Sequence, residues 1–247
     1  VTGGPANGLI SADGGAGLVA FNGGSNAVNV NVNQILGCIG GSGNPFNITI
    51  GGTTGTTQLG NISSNSDIAV TVGNDIIICA PIDSSGGSVS LTTGTGAANF
   101  ITQNTGATVT ADDNVNYNTA NLNLNSTTTA ATGVINIQSN TTGNALTVNF
   151  LQPGGNSALI ATNGAAGTDN IIFNGTTAGA ITVTGGFATP NGLINAGPGN
   201  ILFNGGNGAN PVNVAINDTI GCIEGSGTSF TVTTVAKTIG VSRSALY

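Results

Sequence analysis

Apolar and small polar side chains alternate along this chain in short bursts. Residues 18–21, 28–35, 46–50, 68–72, 115–117, 134–137, 146–150, 171–173 and 212–216 bring Val, Ile, Leu or Phe to alternate positions, and similar runs recur about every 9 to 13 residues. A period of two is the signature of a strand with one buried face. Gly, Asn, Ser or Asp bounds each run, and Gly and Asn readily adopt the positive φ that tight turns require. The pattern therefore predicts an all-β chain built from many short strands.

A longer rhythm overlies this one. Val1-Thr-Gly-Gly, Asn7-Gly-Leu-Ile10, Phe21-Asn-Gly-Gly24, Val28-Asn-Val30, Gly37-Cys-Ile39 and Gly41-Ser-Gly43 return as Val183-Thr-Gly-Gly186, Asn191-Gly-Leu-Ile194, Phe203-Asn-Gly-Gly206, Val212-Asn-Val214, Gly221-Cys-Ile223 and Gly225-Ser-Gly227. The offset runs from 182 (Val1 to Val183) to 184 (Cys38 to Cys222). Residues 1–182 thus read as one long repeat unit, and residues 183–247 as the start of a second copy that diverges after about residue 230. A shorter unit, Asn-Ile-X-Phe-Asn-Gly, occurs at Asn170–Gly175 and Asn200–Gly205.

Two apolar runs per roughly 20–24 residues suit one coil of a parallel β-solenoid (β-helix), in which stacked Val, Ile, Leu and Phe fill the interior. About ten to twelve coils at ~4.8 Å spacing would form a rod roughly 50 Å long. The alternative is one or more β-sandwich domains, which share the spacing of about 8–12 residues between strands. The near-identical Phe-containing units, the abundance of Asn and Thr and the scarcity of Pro and aromatic residues favour the solenoid.

Composition sharpens the picture by exclusion. Gly contributes 42 of 247 residues and Asn and Thr 35 each, while His, Met and Trp are absent and only 4% of the chain is charged. The good helix formers are nearly missing, which weighs against helix. Lys237 and Arg243 are the only cations in a chain of net charge -7, too few to neutralise a phosphate backbone, so nucleic acid is excluded as a partner. Without His there is no Ser-His-Asp or Cys-His nucleophile and no His-ligated metal. No apolar run approaches the 18 or more residues that span a bilayer. Asp112-Asp113 is the only adjacent acidic pair, and neighbours on a strand point to opposite faces, so it reads as a solvated turn and not as a glycosidase dyad. The expectation is a chain without enzymatic activity, cofactor or metal.

Three cysteines lie in apolar surroundings: Leu36-Gly-Cys38-Ile39, Ile78-Cys79-Ala80 and Ile220-Gly-Cys222-Ile223. They read either as small core residues or as a structural disulfide between Cys38 and Cys79, with Cys222 the repeat equivalent of Cys38. Candidate glycosylation sequons occur at Asn47, Asn61, Asn125, Asn140, Asn174 and Asn217.

Thr189-Pro-Asn-Gly-Leu-Ile-Asn195 is similar to the Asn-Pro-Asn-Gly-Ile element of two-partner-secreted filamentous haemagglutinins, and the Gly/Asn/Thr strands of residues 170–186 resemble passenger domains of bacterial autotransporters. The resemblance implies a secreted right-handed β-helix at the cell surface. Together with the exclusions above, it leads to an expected role as an extracellular structural protein, a self-associating subunit or segment of a surface fibre, filament or layer. The alternative is an adhesin module that binds a glycan or host receptor.

Overall fold

A computed structural model describes residues 8–12, 17–53, 55–141, 143–151, 157–175, 179–185, 193–205, 210–216, 218–227 and 229–234. Among these residues all regular structure is strand, 25 segments with no helix. Strands pair in parallel with partners one turn away in sequence. The chain is therefore a parallel β-solenoid, and the sandwich alternative falls away.

One ladder runs from end to end. It passes through Val28–Val32, Phe46–Ile50, Ile68–Val72, Val89–Thr92, Val115–Asn118, Ile135–Gln138 and Asp169–Asn174, then the second parts of Leu193–Asn204 and Asp218–Ser226. These are nine strands, so the stack has about nine turns and not the expected ten to twelve. A second ladder starts with Leu18–Asn22, Cys38–Ser42 and Thr56–Ser64 and then divides, because Thr56–Ser64 pairs both with Asp75–Ile78 and with Ile82–Ser84. From there each turn has three strands where the apolar pattern predicted two. A separate pair, Leu9–Ser11 with Gln34–Leu36, lies at the start of the stack.

The interior is built from in-register columns. Val30, Ile48, Val70, Leu91, Tyr117, Ile137, Phe173 and Phe203 follow one another up the first ladder, each paired with the next. Val28, Phe46, Ile68, Val89, Val115, Ile135, Ile171, Ile201 and Ile223 form the column beside it. Nearly all are buried. Each fully buried side chain of this size is worth about 1.5–3 kcal/mol over an exposed one, and this summed burial opposes the loss of chain entropy. Phe173 and Phe203 stack with ring centroids 4.7 Å apart and 16° between planes. Spacing between paired positions along the chain varies from 18 residues (Val28 to Phe46) to 36 (Ile135 to Ile171), so connecting segments absorb the difference without disturbing the columns.

The interior is not wholly apolar. Tyr117 is fully buried, and its hydroxyl lies 2.8 Å from Thr128 Oγ1. Thr128 in turn donates to Gln103 Oε1 at 3.2 Å, while Gln103 Nε2 donates to the carbonyls of Ala107 (2.7 Å) and Thr127 (3.0 Å). The chain of bonds satisfies three side chains that would otherwise be costly to bury. Burial pushes the Tyr117 hydroxyl well above its ordinary pKa.

The long repeat is also a structural repeat. Leu18 pairs with Cys38 and Phe21 with Gly41, and in the second copy Asn200 pairs with Cys222 and Phe203 with Gly225. Val28 pairs with Phe46 as Val212 pairs with Phe230, and Leu9 with Gln34 as Leu193 with Asp218. The glycine before each cysteine has the same backbone, φ +138° at Gly37 and +126° at Gly221, a conformation that residues with a side chain rarely adopt. The second copy is, however, displaced around the axis. Residues 18–22 lie on the dividing ladder, whereas residues 200–204 lie on the ladder headed by Val28–Val32.

Core stacking sets the stability of the rod. Phe173→Ala should therefore lower it by about 3–5 kcal/mol in chemical denaturation. Leu18→Ala, at a residue 64% exposed, should change it by less than about 0.5 kcal/mol.

Candidate functional site

The chemistry-bearing residues sit almost entirely on the outside of the stack. Ile39 and Ile78 take the inward positions, fully buried, so the alternation turns Cys38 and Cys79 outward. Cys38 is half-buried, Cys79 and Cys222 are exposed, and all three are free thiols, which corrects the reading of them as core residues. Cys38 and Cys79 nonetheless lie close enough for each thiol to influence the other. Burial pushes both thiols above the usual cysteine value, with the neighbouring Cys79 adding to the effect at Cys38.

The sequon residues are scattered over the surface. Asn61 is exposed on Thr56–Ser64. Asn47, half-buried, donates to Asn29 Oδ1 at 3.0 Å, and Asn174 donates to Asn136 Oδ1 at 2.9 Å. Asn125 is half-buried in the turn between Asn121–Leu124 and Thr127–Ala130. Asn140 is held most tightly, since its amide donates to the carbonyl of Thr93 at 3.0 Å, to Thr93 Oγ1 at 3.1 Å and to the carbonyl of Gly94. Asn140 Oδ1 is buried without a partner. Asn217 lies outside the described residues, as do Lys237 and Arg243.

Four of the nine acids serve contacts between turns. Asp67 Oδ1 accepts from the Ser88 amide at 2.9 Å, and Asp75 Oδ1 accepts from Asn99 Nδ2 and the Phe100 amide, each at 3.1 Å. Asp113 accepts from the Thr132 hydroxyl and Asp169 from Asn200 Nδ2. In each case a carboxylate satisfies a donor on a later turn. Among the described residues no three of His, Cys, Asp and Glu gather into a group that could hold a metal ion.

The outward faces carry rows of amides and hydroxyls. Thr184 donates to Asn149, Asn149 to Asn123 and Asn123 to Thr102, a relay across four turns at 2.7 to 3.1 Å. Asn204, Asn174 and Asn136 form a second row. Such ladders tie adjacent turns together from outside. This function of Asn and Thr follows from composition only once the register is known.

The ends of the stack differ from its middle. Among the described residues, each of Leu9–Ser11, Leu18–Asn22 and Val28–Val32 pairs on one edge only. Among the described residues, the apolar side chains that join the core while only partly buried are Ile10, Ala12 and Phe21 at one end and Ile223, Phe230 and Val232 at the other. Their repeat counterparts are informative: Ile194 and Phe203, equivalent to Ile10 and Phe21, are fully buried beneath further turns. Leu9, Leu18, Leu36 and Ile220 add exposed apolar surface at the same ends. Leu151, 49% exposed just after Leu146–Phe150, is a further exposed apolar residue in the middle of the stack.

No family model matches the chain, and comparison with curated proteins and with solved structures returns no match. Among the described residues no helix is long and apolar enough to cross a membrane.

The sequons make different predictions. Expressed in a glycosylating host, the folded chain should carry glycan at Asn61, whose side chain is exposed, and none at Asn140, whose amide nitrogen is engaged with the Thr93–Gly94 backbone. Site-resolved peptide mass spectrometry checks both, and modified Asn140 with bare Asn61 would contradict the assignment.

Proposed function

We propose that this chain is a non-enzymatic extracellular structural protein, a self-associating subunit or segment of a surface fibre, filament or layer, which grows by end-to-end stacking of β-solenoid turns. The observation that carries the reading is the concentration of incompletely buried core residues in the end turns, with Ile10 and Phe21 partly exposed where Ile194 and Phe203 are fully covered. An unpaired strand edge is a template for another strand, and no charged residue among the described positions of Leu9–Ser11, Leu18–Asn22 and Val28–Val32 opposes such pairing. Among the described residues, the turns at the other end offer Ile223, Phe230 and Val232, likewise only partly buried. The likeness of the Thr189–Asn195 motif to secreted surface β-helices supports placing the chain outside the cell.

The amide and hydroxyl rows favour a second reading, in which a flat polar flank binds a glycan and the rod is an adhesin module. The two readings use different surfaces, the ends and the flanks.

End-to-end association is tested by sedimentation velocity and electron microscopy over a range of protein concentrations. The account expects particles that lengthen along the solenoid axis as concentration rises, and Phe21→Asp, which places a charge in the end turn, should abolish the lengthening. A chain that stays a single short rod at every concentration would contradict it.

A further inference from the structure

Cys38 and Cys79 belong to turns separated by one intervening turn. Cys38 opens the strand Cys38–Ser42, and Cys79 follows Asp75–Ile78. Between them runs Thr56–Ser64, which pairs with both: Ile39 with Leu59, and Leu59 with Ile78. The Cys79 amide donates to the Leu59 carbonyl at 2.7 Å, which sets Cys79 beside Gly60. A Cβ at Gly60 would lie 3.0 Å from Cys38 Sγ. With no side chain at Gly60, Cys38 Sγ lies against the backbone of the intervening turn, and Cys79 borders the same residue from the next turn.

This geometry separates two kinds of chemistry. Strands in a sheet are spaced about 4.8 Å apart, and Cys38 pairs with Gln58 whereas Cys79 lies one residue beyond the partner of Leu59, so the two cysteine backbones, two rungs apart and offset along the strand, stand more than about 9 Å apart. A disulfide requires Cα atoms within about 7 Å. A direct sulfur–sulfur bond would force the intervening turn out of register, whereas a bridging ion between the two sulfurs would not. No third Cys, Asp, Glu or His joins the pair among the described residues, so a four-coordinate zinc site is not available. Two thiolates alone match a soft monovalent ion that accepts two sulfur ligands. Asn104 Nδ2, 3.9 Å from Cys79 Sγ, supplies a donor at the edge of the site.

We propose that Cys38 and Cys79 form a two-thiolate site for a soft monovalent metal ion of the copper(I) type, bridging alternate turns over Gly60. Binding replaces two S–H bonds with two metal–sulfur bonds: one Cu(I) enters, two protons leave and the bound unit carries a net charge of -1. No oxidation is involved. Binding of the ion displaces the two thiol protons. The site is independent of end-to-end assembly.

The test is an anaerobic titration of the reduced protein with Cu(I) against the chromophoric chelator bicinchoninate, with circular dichroism confirming that each variant is folded. The wild-type chain and Cys222→Ser should each withdraw one equivalent of copper, and Cys38→Ser and Cys79→Ser should each bind at least about tenfold more weakly, as loss of one of two ligands requires. Unchanged binding in either single variant, or loss of copper with Cys222→Ser, overturns the site. Rapid formation of a Cys38–Cys79 disulfide on treatment with an external disulfide, without loss of β structure, would also overturn it, because the backbones would then stand closer than the two-rung spacing allows.

Discussion

The structure depends on one constraint: every inward position must accept its counterpart one turn below and one turn above, in register. Parallel pairing at a fixed rise makes each apolar side chain a partner in two contacts, and the columns ending at Phe203 and Ile223 are the result. All other variation is displaced outward. Paired positions can lie 18 or 36 residues apart, because connecting segments leave and rejoin the stack without shifting a column. On the outer faces the same register brings Asn over Asn or Thr, and the amide relays follow without any need for charge.

The same constraint explains what could be read beforehand. The Val28–Val32, Phe46–Ile50 and Ile68–Val72 strands alternate Val, Ile and Phe with polar residues and were legible as strands. The third strand of each turn was not. Ile82–Ser84, Val109–Ala111 and Thr127–Ala130 send Ser84, Ala111, Thr128 and Ala130 inward, so small or hydroxyl side chains stand where a period-two reading looks for large apolar ones. Missing that strand shortened the expected coil and raised the expected number of coils. The cysteines were misplaced for a related reason. Cys38 and Cys79 have apolar neighbours, but Ile39 and Ile78 hold the inward phase, and only the pairing with Leu59 shows that both cysteines then face out beside Gly60. The equivalence of Cys38 and Cys222 was visible, because it needs only the repeat.

The repeat also joins fold to function. Two stretches about 184 residues apart adopt the same pairings on different sides of the stack, so the pattern is carried by contact with the neighbouring turn and not by a fixed place around the axis. The second copy rests on Ala158–Ile160, Asp169–Asn174 and Ile181–Gly185, and there its apolar residues are covered. The first copy has no such support among the described residues. Among the described residues the same sequence is thus paired on both sides in its second copy and on one side in its first.

Native-state hydrogen exchange, resolved to short peptides, tests this contrast most directly. In the dissociated chain, Val28–Val32, paired on one edge, should exchange about tenfold or more faster than its repeat counterpart Val212–Ile216, which is paired on both. Equal protection of the two strands would contradict the account, because the first turn would then be as well covered as the second copy.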